Sequence, residues 1–319
     1  MFNSGNKIKF IQHYTNNIAT QKHCERIFNK CEPFEEQWQS DLCTQGKDTL
    51  QEMIDKIVCV RSRSSHGIVL LLRDYVKWCI QTKYPNVSDG MLQIKTIGTD
   101  KVKKYMVANP LMLQDYLNII CEPETEKTTD NIYRCYYWLA FSGVSEEDSL
   151  RIKCSDVDFE NMVIHYNGLN IPLYFESIPA FKNCATLSQF VYKHPNYASS
   201  TTVYMDRANG DTLIRGIRNT PSISTMSVEL SRRAKSRIDK GLLTKRLSYK
   251  HALLSGMFYK KYQLEMAGYE VDFVDEALEF TKGKEYKLDK GRNKIEAKIR
   301  QVAKDYMIDY LRWKLAFNL

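Results

Sequence analysis

The chain has 319 residues, with 46 Lys and Arg against 38 Asp and Glu, a formal charge of +8 at pH 7. A composition of 43% hydrophobic and 26% charged residues suits ordinary cores and excludes wholesale disorder, and the length suits two domains. The purely apolar run over residues 68–72, like every other in the chain, falls far short of the roughly 20 residues of a membrane span. The first residues also lack an apolar signal segment, so a soluble, intracellular protein is expected.

Apolar residues at three- and four-residue steps predict short helices over 20–30, 33–39 and 47–58. A longer helix is predicted after residues 61–65, with Ile68, Leu71, Leu72, Tyr75 and Cys79 as its apolar stripe and Arg73 and Lys77 opposite. Serines at its start can cap it, and Arg61 and Arg63 beside its positive end would suit a phosphate. A capped helix with solvated arginines accounts for the same residues. Residues 84–90 break the pattern. This divides the chain into a helical domain over 1–84, a linker over 85–110 and a larger domain over 111–319.

Beyond the linker, helices are expected near 111–120 and 129–142. Residues 156–168 then contain a turn followed by alternation, and with 169–174 they read as a small hairpin. A helix over about 179–194, a Gly/Asn/Ser-rich stretch to 211 and basic helices near 223–240 and 248–267 follow. A long last helix begins near 289. The expected fold class is mainly α with a small β-hairpin or sheet.

Nine cysteines are scattered without a C-x-x-C pair; Cys24 and Cys31, the closest two, lie seven apart, and His23 beside Cys24 has no second pair to complete a metal set. Reduced thiols, no metal and no cofactor are expected. Charge is distributed unevenly. Residues 206–261 carry thirteen basic and four acidic side chains, a net +9 that exceeds the whole-chain excess. So dense a basic stretch favours a polyanion, most often nucleic acid, although a solvated helix face also accounts for it. No phosphate loop, zinc quartet or nucleophile elbow is present.

Two stretches resemble the conserved boxes of the tyrosine recombinases, the phage integrase family. Leu139-Ala140-Phe141-Ser142-Gly143-Val144-Ser145, continuing to Asp156-Val157-Asp158-Phe159, is similar to the first, A-T-G-L-R-x-x-E-L with L-x-W-x-D-I-D-F. Leu247-Ser248-Tyr249-Lys250-His251-Ala252 is similar to the second, H-x-L-R-H-T. The resemblance implies a two-lobed fold, with a helical core-binding domain followed by an integrase catalytic-like domain, and double-stranded DNA as partner. It also implies a tyrosine nucleophile assisted by two arginines, a lysine and histidine or tryptophan groups. This chain departs from that clamp. Ser145 takes the first arginine position, Leu169 is the nearest match to the lysine, Leu247 replaces the histidine, Lys250 the second arginine, and Phe280 the last histidine or tryptophan.

Each lost charge stabiliser costs about 10²–10³ in rate, so no plausible clamp remains. Tyr306 and Tyr310, the candidate nucleophiles, fall on one stripe with Ile295, Ile299, Val302, Trp313 and Phe317 and read as packing residues, while Ile308, Leu311 and Leu315 form a second apolar face. Exchange of this helix between subunits, giving a homo-oligomer, is what the resemblance implies. The expected function is a non-catalytic DNA-binding regulator in a bacterial cytoplasm. Its candidate DNA contacts are Arg61, Arg63, Lys77, Arg215, Arg218, Arg232, Lys235, Lys245, Arg246, Tyr249 and Lys250. An active or divergent recombinase, and an architectural factor that bends DNA, are the competing readings.

Overall fold

The computed structural model describes residues 1–58, 60–94, 99–121, 130–186, 188–193, 202–206, 210–216, 220–282 and 294–319. In chain order the elements begin with helices α1 (Ser4–Tyr14), α2 (Ile18–Trp38), α3 (Lys47–Ile57), α4 (Ser62–Gln81), α5 (Asp100–Tyr105), α6 (Pro110–Ile120), α7 (Asp130–Phe141) and α8 (Glu146–Ser149). Strands β1 (Val157–Asp158), β2 (Val163–Tyr166) and β3 (Leu169–Pro172) follow, then α9 (Ile178–Thr186), β4 (Gln189–Lys193) and β5 (Thr202–Asp206). The chain ends with α10 (Ile223–Asp239), α11 (Tyr249–Met266), α12 (Val274–Thr281) and α13 (Lys294–Phe317). The fold is mostly helical with two small antiparallel sheets, as its sequence pattern predicts. None of the described helices is long and apolar enough to cross a membrane.

The described residues form two compact units, Met1–Lys103 with Asp272–Leu319, and Lys104–Val271. In the first, the predicted stripe of α4 is buried throughout, and Phe10, Phe28 and Tyr75 meet edge to face at its centre. Lys7 and Glu35 form a fully buried ion pair at 2.5 Å, and the Glu35 carboxylate also accepts the Leu42 N–H at 2.9 Å. Burial still pushes the Glu35 carboxyl up from its ordinary range, because desolvation outweighs the nearby lysine. The sequence divides the second helix before Pro33, yet α2 runs straight through it. Proline removes one helical hydrogen bond, but Phe28, Cys31 and Glu35 share a buried face on both sides of it and hold the helix together.

The sequence groups residues 272–319 with the larger domain, whereas α12 and α13 pack within the first unit. The reason is electrostatic as well as apolar: Arg61 pairs with Asp309 at 2.8 Å, and Arg312 donates to the Val60 carbonyl at 2.7 Å. The start of the last helix expected near 289 lies outside the described residues.

In the second unit α7 is the central element, with Tyr136, Tyr137, Trp138, Leu139, Ala140 and Phe141 all buried. The helix α11 crosses it closely at Gly256, where an added Cβ would lie 1.7 Å from the Phe141 carbonyl oxygen. The hairpin predicted by alternation is present. Strands β2 and β3 pair from Val163↔Pro172 to Tyr166↔Leu169, joined by Asn167 and Gly168, whose φ values of 49° and 76° make the two-residue turn that Asn-Gly favours. The helix expected over 179–194 ends early: Thr186 closes α9, and residues 189–193 form β4 against β5. Strand partners nine to seventeen residues away decide this, and periodicity within one segment does not contain them.

Candidate nucleic-acid interface

The structure brings the two recombinase-like boxes together. The Tyr249 hydroxyl, at the start of α11, donates to the carbonyls of Val144 and Ser145 at 3.0 and 3.2 Å, and its ring lies 4.5 Å from that of Tyr136. Ser145 caps α8, its Oγ accepting the Asp148 N–H at 3.1 Å and donating to the Asp148 carboxylate at 2.6 Å. The Tyr136 hydroxyl donates to Glu146 at 2.6 Å and the Tyr166 hydroxyl to Asp148 at 3.0 Å. The first turn of α8 brings Glu146, Glu147 and Asp148 to this joint.

The phenols at this joint are shifted by their surroundings. Burial, reinforced by Glu146, raises the Tyr136 phenol, and burial raises Tyr249, so neither phenol is activated. Arg151 reaches only 3.9 Å from Asp148 and is exposed. Leu247 is buried, its N–H bonded to the Tyr116 hydroxyl at 3.1 Å and its carbonyl accepting from Tyr137 at 2.5 Å. Leu169 sits exposed at the start of β3, just past the hairpin turn, and Phe280 lies on α12 in the other unit. Among the described residues no group of His, Cys, Asp and Glu is arranged to hold a metal ion.

The basic stretch separates into two populations. Several of its arginines are tied into the fold. Arg233 pairs with Asp130 at 2.9 Å and lies 4.4 Å from the centre of the Tyr133 ring, and Arg237 donates to the Ile119 carbonyl at 2.9 Å. Arg246 donates to Ser231 and Ser227 on α10, and Arg215 donates to the Gly210 carbonyl and toward Cys154. Tyr249 is buried with its hydroxyl turned inward, so it leaves the set of candidate DNA contacts.

Lys235 on α10, Lys245 in the following loop and Lys250 in the first turn of α11 are exposed, without an ion-pair partner among the described residues. Arg232 is exposed too, held by two hydrogen bonds to Glu229 at 2.8 and 2.9 Å. Arg218 lies outside the described residues.

In the first unit the candidates are less free than the sequence suggests. Lys77 is exposed near Asp74 at 3.4 Å. The arginines at the start of α4 have partners on the last helix: Arg61 pairs with Asp309 at 2.8 Å, and Arg63, itself exposed, approaches Asp305 at 3.8 Å. Tyr306 is sandwiched, its ring 5.9 Å from that of Phe273 and 4.4 Å from the Arg61 guanidinium, and Tyr310 is buried against Phe273 and Trp313. Both rings lie against other aromatic side chains.

Residues 1–81 match the family model of the MrpR N-terminal core-binding domain. That region coincides with the helices α1 to α4 of the first unit. Among solved structures, the Tn1549 transposon integrase in complex with circular intermediate DNA aligns over 92% of this chain and 97% of its own at 15% identity, with a TM-score of 0.34. A variant of that integrase, also with circular intermediate DNA, aligns over 94% and 98% at 14% identity, with the same TM-score. No curated protein matches the sequence.

Sequence reasoning missed Asp305, Asp309 and Arg312. They recur at i, i+4 and i+7 on α13, between its two apolar faces, and that spacing is the signal of a third, polar face with its own partner.

Proposed function

We propose that this chain is a sequence-specific double-stranded DNA-binding regulator on a tyrosine-recombinase scaffold that does not cleave DNA. The observation that carries the reading is the contrast within one unit: exposed Lys235, Lys245 and Lys250 around α10 and the start of α11, beside a box junction filled by Glu146, Glu147 and Asp148. Lysines there would neutralise backbone phosphates, while carboxylates in place of the clamp leave no group to stabilise a pentacovalent phosphate. The core-binding match over 1–81 supports a second DNA-contacting lobe. In its degenerate clamp the chain resembles the integrase-like lysogeny repressors of SPbeta-type Bacillus phages, and the regulation proposed is repression by occupancy of operator sites in a bacterial cytoplasm. The exposed Ile308, Leu311 and Leu315 face of α13 supports association of two copies through the last helix.

The test has two arms. Selection of duplexes from random sequence, followed by titration at stated salt, is expected to yield an operator bound at least about 10³-fold tighter than bulk DNA. Equal affinity for every duplex would refute specific regulation. A nicked suicide duplex is expected to give no covalent protein–DNA adduct; an adduct abolished by Tyr306→Phe or Tyr310→Phe would restore the recombinase reading.

A further inference from the structure

The N-terminus of α4 already holds an anion, and the anion belongs to the protein. The Ser62 N–H donates to Asp309 Oδ1 at 2.5 Å, and Arg61 Nε lies 2.8 Å from Asp309 Oδ2. Arg312 stands 3.6 Å from Oδ1 while donating to the Val60 carbonyl at 2.7 Å, and the Ser62 hydroxyl donates to the Asp305 carbonyl at 3.4 Å. Arg63 faces the Asp305 carboxylate at 3.8 Å, and Tyr306 covers the Arg61 guanidinium. An unpaired helix-start N–H with an adjacent guanidinium is the donor set that grips two oxygens of a phosphate, and Asp309 presents two oxygens in that place.

We infer that α13 is an autoinhibitory plug: its Asp309 and Asp305 carboxylates occupy, in the closed state, the position at the start of α4 where Arg61, Arg63 and the Ser62 N–H take a DNA backbone phosphate. The inference rests on the DNA-binding reading above and deepens it, assigning to the last helix a control on that binding. Three features favour a displaceable plug over a permanent buttress. The Asp309 carboxylate is buried, and burial raises its pKa even though Arg61, the Ser62 N–H and Arg312 act to lower it, so the closed state keeps a desolvated charge that its partners only partly stabilise. Arg63 stays largely exposed and loosely paired, able to meet a phosphate first. One flank of α13, with Leu311 and Leu315 exposed, contributes no burial, which leaves the Tyr310 and Trp313 flank to hold the helix. A duplex offers many phosphates for one carboxylate, and mass action then favours exchange.

The full-length chain carrying Asp305→Asn and Asp309→Asn keeps the shape of both side chains and removes the competing charges. Titrated against a 30-base-pair duplex over a range of salt, it is expected to bind about tenfold more tightly than the unsubstituted chain. Its log–log salt slope should steepen by about 0.9, the release expected for one more phosphate. Adding Arg61→Ala to that variant is expected to take back about half of the steepening. Unchanged or weaker binding by the Asn variant, or a gain that survives Arg61→Ala, would overturn the plug. Hydrogen exchange on the unsubstituted chain gives an independent reading that needs no variant to fold. Saturating duplex is expected to speed exchange over residues 302–313, and exchange left unchanged by bound duplex would equally overturn it. If the unsubstituted chain binds duplex while both readouts stay flat, the plug alone fails; if neither chain binds duplex, the DNA-binding reading fails and the plug with it.

Discussion

Arg233 and Lys235 sit two residues apart on α10 and carry the same formal charge, yet the structure gives them opposite consequences. Arg233 is largely buried between Asp130 and the Tyr133 ring. Burial pulls its guanidinium toward losing the proton, and the Asp130 carboxylate more than reverses this, so its pKa is raised. Arg233→Met would keep much of the apolar length but take the Arg233 guanidinium away from Asp130, a carboxylate only 6% exposed. Removing one partner of such a pair costs about 3–5 kcal/mol. In a unit of this size about 2–4 °C of melting temperature accompanies each kcal/mol, so a fall of roughly 6–20 °C is expected. Lys235→Met removes no partner and should change stability by less than about 0.5 kcal/mol. If Lys235 meets a phosphate, that variant instead flattens the salt slope of DNA binding by about 0.9. Thermal melts and salt titrations of the two variants side by side read both effects. An Arg233→Met chain that melts with the unsubstituted one, or a Lys235→Met chain that loses stability and keeps its slope, would refute the division of this stretch into structural and exposed charge.

Other outcomes follow from single contacts. Gly256→Ala places a Cβ 1.7 Å from the Phe141 oxygen, so α7 and α11 must separate; a loss of at least about 3 kcal/mol is expected in urea melts, and a near-neutral result would contradict the close crossing. The Asp158 carboxyl is held down to about 2, chiefly by the Asn161 N–H at 2.9 Å, then by the Asn161 side chain at 2.7 Å. Its folded value lies below the unfolded one of about 3.9, so its stabilisation of the β1–β2 turn is complete above about pH 4 and is lost as pH falls toward 2. Hydrogen exchange in β2 should rise across that window, and an Asp158→Asn chain should show no such step. Ser145→Arg returns the family's arginine to its position yet is expected to give no covalent adduct on a suicide duplex, because Glu146, Glu147 and Asp148 stay beside it. The variant also loses the α8 cap, worth about 1 kcal/mol, which a melt would record.

How far the sequence reaches can be judged element by element. The α4 stripe, α6, α10, α11 and the Asn167-Gly168 hairpin are legible because each is specified within its own segment: by a 3.6-residue or two-residue period, by the caps Asn109, Ser222 and Ser248, or by the turn residues. What remains hidden depends on partners far along the chain. Pro33 argues locally for a break, and the buried face around it, tied through Glu35 to Lys7 28 residues earlier, overrides that. Residues 189–193 continue the helical spacing of Phe181 and Cys184, but β5 claims them as a strand. In the site, the two boxes announce themselves by residue type, whereas the turning inward of Tyr249 and the capture of Arg61 by Asp309 depend on bonds spanning 104 or more residues, which no local pattern records.

The same contrast explains why net charge locates a surface only in part. Within 206–261 the fold uses arginine for its internal ties: Arg233 on Tyr133 and Asp130, Arg237 on the Ile119 carbonyl, Arg246 on two serines. A guanidinium presents several donors in a plane, stacks on rings and is weakly hydrated, so it tolerates partial burial. An ammonium is strongly hydrated and stays out, and Lys235, Lys245 and Lys250 do so. A surface left to lysine meets phosphates as point charges and carries little base information. On the proposed reading, Arg232 is the arginine among the described residues of 206–261 placed to discriminate between base pairs, its guanidinium exposed and pre-oriented by Glu229, while the lysines set affinity and its dependence on salt.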